Sequence, residues 1–494
     1  MKKKLVGVLL SAAMVVSSLA ACGGSTEEPA ADNTQTEEPA ADVEEEAPAD
    51  TNDVVAAATM EAPDVSGWDA SKEIYAYSWN GESNQWLSYI IGPTDADGNK
   101  IVADGQEEYA EAAPHKELAP FVHCINLGVS GTDGEYQKLV DTAFTSDKYP
   151  SIIPCDDTVA LYYIQDDDKT LDLHSVGLTD EMYANAYQYT KDYANWNGQL
   201  KGVTPQATPG NFTYRASIAK EVLGSDDPAD VQAAVADWDK FYETADKMKA
   251  AGYAMLSGPD DVKYALMDQR KSPWVTVAAD GSESLTLDDS VKDIIESEKK
   301  LYDGDYTKKT AMWAAEWSAN FEGDVFGYFG CTWFVYWCIA TSQDSATSTY
   351  GDWRVCEGPV GYHWGGSYFT IGKDTPNPEL CAYLMYELCC DKDVMYNIEK
   401  GTSNFVNNKE AVTQIIADGI GASDILGGQN PVETWANSAL QIDLSNATYL
   451  DNAIMAEIDK ACQAYNSGEV SSVDDAIKMV KDNMKKAYDY LNVE

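Results

Sequence analysis

A break in composition near residue 64 limits what this chain can fold into more than any other feature. From Gly23 to Asp64 the sequence is mostly Glu, Pro, Ala, Asp and Thr, with 13 acidic residues and no Lys or Arg. Such a stretch buries too little apolar surface to offset its ordering entropy and repels itself, so residues 22–66 are expected to form an acidic, disordered tether. Residues 67–494 beyond it are too many for one ordinary core and enough for two lobes with sizeable interiors.

Ahead of the tether stand Lys2, Lys3 and Lys4, an apolar stretch from Leu5 to about Val16, and then Leu19-Ala20-Ala21-Cys22. This order of charge, apolar stretch and small residues is that of an export signal over residues 1–21. The apolar stretch is shorter than the ~20 residues that span a bilayer. Leu19 to Cys22 resembles a lipobox, which implies lipid attachment through Cys22. The expected location is the cell membrane, lipid-anchored on its extracellular face, or on the periplasmic side if an outer membrane exists.

The formal net charge is −48, and the chain stays strongly negative without the tether. Nucleic acid and anionic lipid are therefore excluded as partners on electrostatic grounds, whereas neutral or cationic ligands are compatible. Nine cysteines follow Cys22, an odd number at spacings that match neither a zinc knuckle nor a redox pair, and they read as small buried hydrophobes; Cys389-Cys390 in particular sits in an apolar helical pattern. His115, His123, His174 and His363 are the only histidines, none at metal-ligand spacing to another histidine or a cysteine. No metal and no cofactor is expected. Asp95-x-Asp97-x-Asn99 imitates the start of a calcium loop, but Lys100 replaces the turning glycine and Gln106 the bidentate glutamate, so it reads as a polar turn. Serine-hydrolase, phosphate-loop and dinucleotide motifs are absent. Acid pairs such as Asp156-Asp157 keep a secreted glycoside hydrolase or lyase open as an alternative.

Residues 73–79 and 121–128 are β-branched and aromatic and read as strands, as do 274–277 and 368–371. Asp227-Pro228 opens a helix whose apolar positions Val231, Val235, Trp238, Phe241, Ala245 and Met248 continue to a stop at Gly252. A second amphipathic helix follows a capping box at Ser471–Asp474. Strands alternating with helices predict an α/β architecture with largely parallel sheets. The aromatic run 326–339 is too short to span a membrane and reads as buried structure.

Tryptophan and tyrosine recur beside glycine and short polar residues in Trp79-Asn80-Gly81-Glu82, in Tyr328-Phe-Gly330-Cys-Thr-Trp333 and in Tyr362-His-Trp364-Gly365-Gly366-Ser367. An aromatic face can stack on the C–H face of a sugar ring while carboxylates and amides take up its hydroxyls, and glycine lets the backbone come close.

Together with residues 200–215, 222–231 and 351–359, these motifs resemble the extracellular solute-binding proteins of family 1, the carbohydrate-binding lipoproteins of bacterial ABC importers. The resemblance runs from about Trp68 to the C-terminus. It implies a two-lobed periplasmic-binding-protein-like fold of type II whose discontinuous lobes are joined by a hinge. Lobe I would comprise 67–182 with 368–428, and lobe II 183–367 with 429–494. It implies a non-catalytic monomer that captures an oligosaccharide and delivers it to the transmembrane subunits of an ABC permease, touching the membrane only through its lipid. The ligand-binding residues so implied are Trp79, Asn80 and Glu82 after the first strand, and Asp156 and Asp157. They also include Gln206 and Tyr214 from the second lobe, Trp333 from a stacking platform, and Trp364, Gly365 and Gly366 at the cross-over. Asp352 and Trp353 read as structural, and Tyr449 and Asp451 as marginal to the site. A peptide-binding or adhesin lipoprotein is the remaining alternative.

Overall fold

The computed structural model describes residues 54–132, 134–343 and 346–493. Cys22, the export signal and most of the tether lie outside these residues. The last part of the expected tether does not stand clear of the body. The Val55 N–H donates to Asn185 Oδ1 at 3.0 Å, Asn185 Nδ2 returns a bond to the Val55 carbonyl, and the Ala58 N–H reaches the Glu181 carbonyl.

The first sheet has the spatial order β7 (Ser367–Ile371), β3 (Pro150–Asp156), β1 (Ile74–Ser78), β2 (Val122–Asn126). β1 pairs parallel with β2 and β3, and β7 runs antiparallel to β3. The chain leaves β1 for one neighbour and then crosses to the other. The gap between the carboxyl ends of β1 and β3 is thus a topological switch point, where open α/β sheets form a crevice.

The second sheet departs from the parallel expectation. β4 (Gly210–Arg215) lies between β5 (Gly327–Cys331) and β6 (Trp353–Cys356), antiparallel to both. Parallel pairing survives beside it only as the single bridges Ala254↔Val325 and Leu256↔Thr307. The helix predicted over 227–252 is two helices, Pro228–Ala234 and Trp238–Ala251. Asp237 breaks the run: its backbone is extended and its carboxylate caps the second helix by accepting from the Lys240 N–H. At the last helix, Val473–Ala487, the cap sits one residue later than predicted, on Ser472.

Two apolar cores follow. One holds the first sheet, the helices from Pro378 to Ala439, and one face of the second sheet through Tyr328, Cys331, Trp353 and Val355. The other holds the opposite face, through Phe212, Tyr214, Phe326 and Phe329, with the helices of 216–301 and 451–487. Residues 183–207 and 432–444, expected in lobe II, bury Tyr183, Tyr187, Tyr189, Val203, Trp435 and Leu444 in the first core. The chain passes between cores at 207–212, 362–364 and 444–450, and also between 301 and 312 and along the second sheet, whose two faces belong to different cores. At the first two passages it pairs with itself: the Gly210 N–H donates to the Tyr362 carbonyl, the Trp364 N–H to the Thr208 carbonyl, and Pro209 bridges His363. A Cβ on Gly210 would lie 2.2 Å from the Tyr362 ring, so only glycine allows this approach.

Among the described residues no helix is long and apolar enough to cross a membrane. Cys389 and Cys390 are buried in the first core, and the nine described cysteines are free thiols. In the calcium-loop imitation, the Asp95 carboxylate accepts from the N–H groups of Asp97, Asn99 and Cys124 and from the Asn99 amide, which makes it the organiser of a polar turn.

Candidate ligand-binding cleft

At the switch point, β1 ends in Trp79-Asn80-Gly81 and helix α1 (Glu82–Ile91) begins. The turn is tight because Gly81 takes φ +89° and donates to Ser78 Oγ, while Asn80 Oδ1 accepts from the Glu82 N–H. Trp79 lies edge-on to Tyr136, and Gly131 leaves room for its indole, since a Cβ there would sit 3.1 Å from the ring. β3 ends in the same way. Asp156 caps helix α2 (Asp157–Ile164), accepting from both the N–H and the hydroxyl of Thr158, and the Asp157 N–H donates to the Gly366 carbonyl.

Opposite these strand ends stands a cluster of rings. Trp333 follows β5 and donates its indole N–H to the Trp364 carbonyl at 2.8 Å. Trp364 is only 5% exposed, packed against Trp333 at 4.8 Å and stacked on Tyr264 at 4.9 Å. Trp313 lies parallel to Trp333, 6.1 Å away with an interplanar angle of 7°. Trp337 projects from a π-helical turn, Phe334–Ile339, four residues after Trp333. Trp313 and Trp337 are 56% and 58% exposed, the most exposed large hydrophobic side chains described. Trp313 is held at φ +68°, a conformation that costs a bulky residue about 1–2 kcal/mol.

These groups enclose one cavity of about 540 Å³. Of the residues singled out from sequence, it brings together Trp79, Asn80, Glu82, Asp156, Asp157, Gln206, Trp333, Trp364, Gly365 and Gly366. Tyr214 is not among them. It is fully buried in the second core on the same side of β4 as Phe212, and its hydroxyl donates to the Asp226 carbonyl. Gln206 comes from the first lobe's side, ahead of the first passage, with its amide on Asn404. Asp352 and Trp353 are structural: Asp352 pairs with Arg215 and accepts from the Ser217 N–H, and Trp353 is buried. Tyr449 and Asp451 line a small neighbouring pocket instead.

The sequence reading missed Thr132, Thr158, Tyr264, Trp313, Trp337 and Ser367. Trp337 carried a signal in its i, i+4 spacing from Trp333. Tyr264 and Trp313 carried none, since long-range ring packing brings them in.

The wall contains no Lys or Arg. Burial pushes the Glu82 carboxyl up to about 7, against hydrogen bonds from Asn404 and Asn80 that favour its charged form. Burial, with the neighbouring Asp157 carboxylate, raises Asp156 well above the usual range. A protonated carboxyl can donate as well as accept, so this wall offers both kinds of partner to a hydroxyl-bearing ligand. Among the described residues no cluster of His, Cys, Asp and Glu is arranged to hold a metal.

Residues 125–424 match the family of bacterial extracellular solute-binding proteins. The chain belongs to that family. No curated protein matches it. Among solved structures, this solute-binding protein is similar to an extracellular solute-binding protein of family 1, with TM-score 0.67 and 18% identity over 84% of this chain and 99% of the other. It is also similar to the sugar-binding protein MalE of Xanthomonas citri, with TM-score 0.62 and 14% identity over 84% and 96%. A third is the galacto-N-biose/lacto-N-biose I-binding protein of the ABC transporter from Bifidobacterium longum, solved with lacto-N-biose, with TM-score 0.61 and 15% identity over 86% and 100%. At these identities the likeness establishes the two-lobed fold.

Proposed function

We propose that this protein captures a neutral sugar, an oligosaccharide in particular, between its two lobes and hands it unchanged to the transmembrane subunits of an ABC permease. The observation that carries this reading is the cavity wall: a cluster of indole and phenol faces on one side, carboxyl, amide and hydroxyl groups with the Trp79 indole on the other, and no cationic side chain. Indole faces suit the C–H faces of pyranose rings, and the polar groups suit hydroxyls in the ring plane. Anionic sugars would meet Glu82, Asp156 and Asp157 without a countercharge from Lys or Arg. The cavity's residues are Trp79, Asn80, Glu82, Asp156, Asp157, Gln206, Trp333, Trp364, Gly365 and Gly366, now joined by Tyr264, Trp313 and Trp337.

Capture proceeds by population shift: a ligand that touches both lobes binds the closed form better, and the difference in affinity sets how far the equilibrium moves. The protein works as a monomer, anchored through a lipid on Cys22 at the outer face of the cell membrane, with the acidic segment as its tether. The acid pair binds hydroxyls and makes or breaks no bond. Titration calorimetry and thermal shift against neutral mono- and oligosaccharides, uronic acids and short peptides test the reading. At least one neutral saccharide is expected to bind and to raise Tm with concentration, and to be recovered unaltered. Binding of peptides alone, or release of a cleaved sugar, would overturn it.

A further inference from the structure

A chain of buried charges runs behind the cavity and through the passages between the lobes. His363 sits in the second passage, between Tyr362 of one core and Trp364 of the other. Its Nε2 lies 3.4 Å from Asp157 Oδ2 in the cavity wall, and its Nδ1 lies 2.7 Å from Asp268 Oδ2. The same Asp268 oxygen accepts the His363 backbone N–H at 2.8 Å. Beyond it, Asp268 Oδ1 is 3.9 Å from Arg270, which pairs with Asp451. Asp451 opens the helix Asp451–Ser467 just after the third passage and is held by the Thr448 N–H and hydroxyl. The Asp268 side chain is fully buried, and those of His363 and Arg270 are nearly so.

Breaking one member of such a chain leaves its partners charged and unpaired, which is strongly unfavourable in a dry interior. Each link is therefore committed to the next, and the links come from different parts of the fold: Asp157 from the start of helix α2, His363 from a passage, and Asp268, Arg270 and Asp451 from the second lobe. We propose that His363 is a positioning residue that fixes the Asp157 carboxylate in the cavity wall through Asp268 and ties that wall to the second lobe.

The groups facing the His363 ring are Asp157, Asp268 and, from the helix Gln188–Ala194, Tyr189 and Tyr193 at 6.3 and 6.2 Å. Burial alone would lower its pKa, but Asp268 and Asp157 outweigh that and hold it up at about 10. The imidazolium thus persists across the whole neutral range. Without the Asp268 charge it would titrate there.

Asp268→Asn in the otherwise unchanged protein tests this. The chain has four histidines, so the His363 imidazole can be followed by NMR. In the wild type it is expected to keep its proton to above pH 9, and in Asp268→Asn to titrate near neutrality. The affinity arm, which rests on the sugar-capture reading, uses the saccharide that binds most tightly. The loss in Asp268→Asn is expected to grow from roughly threefold at pH 6 to more than tenfold at pH 9. A purely structural role would lower Tm and leave that ratio flat, which would overturn the proposal. A wild-type imidazole titrating near 6.5 would overturn it too, and decides the matter even if Asp268→Asn does not fold. If no saccharide binds the wild type while the imidazole stays protonated, the sugar reading fails and the buried chain stands.

Discussion

The two walls of the cleft are built by different means. On the first, Trp79, Asn80, Glu82, Asp156 and Asp157 sit where strands become helices, and the backbone there is set by local bonds: Ser78 and Asn80 close one turn, and Asp156 caps the next. On the second, Tyr264, Trp313, Trp333 and Trp364 come from distant segments and are fixed by one another, with Trp337 at the exposed rim. A wall made by short-range caps tolerates loss of one member. A wall made of mutually packed rings does not, except at its exposed rim.

That contrast can be broken most sharply at Trp364. Because it is buried among Tyr264, Trp333 and Phe334, Trp364→Ala is expected to cost ~3–5 kcal/mol of stability and to abolish binding, measured by denaturant unfolding and calorimetry. Trp313 should separate the two effects. At 56% exposure, Trp313→Ala is expected to reduce saccharide affinity by roughly tenfold while changing stability by under about 1 kcal/mol. Since φ is +68°, Trp313→Gly should be more stable than Trp313→Ala by about 1 kcal/mol with the same loss of binding. Equal stability of the two variants would mean that the left-handed turn is not kept in solution.

The polar wall should respond to pH instead. The folded protein holds the Glu82 proton up to about 7, above the value of 4.5 for a free glutamate, so between these limits the folded state binds more protons than the unfolded one. Glu82 therefore lowers stability as pH rises from 4.5 to 7, and its unfavourable contribution is complete above that. Glu82→Gln is expected to raise stability at pH 8 by about 1 kcal/mol, allowing for the partial exposure of the site, and to change little at pH 4.5, as read from Tm. A gain independent of pH would show that the carboxyl is not what burial acts upon.

The same contrast explains what could be read in advance. Strand ends, caps and glycine turns are local, so Trp79-Asn80-Gly81-Glu82 and Trp364-Gly365-Gly366 already marked the cleft in the sequence. Tyr264 and Trp313 were silent because nothing beside them in the chain differs from ordinary core or loop. Tyr214 misled for a related reason: β4 is buried on both faces, so an aromatic residue there has no sequence sign of which core it enters. The division at Asp237 was hidden by an apolar rhythm that continues across the break, and nothing in the sequence told that helix Val432–Ala439 turns its apolar face to the first core.

The bonds from Val55 and Ala58 to Asn185 and Glu181 bear on how the molecule moves. Chain arriving from the N-terminal side meets the first lobe and is fastened there, so a pull from the proposed anchor would reach that half first. The second half joins it through the passages, through the shared second sheet and through the buried contacts of His363 with Asp157 and Asp268. Under the proposed function, closing on a guest would move the other half relative to this fastened one, which carries the acidic strand ends.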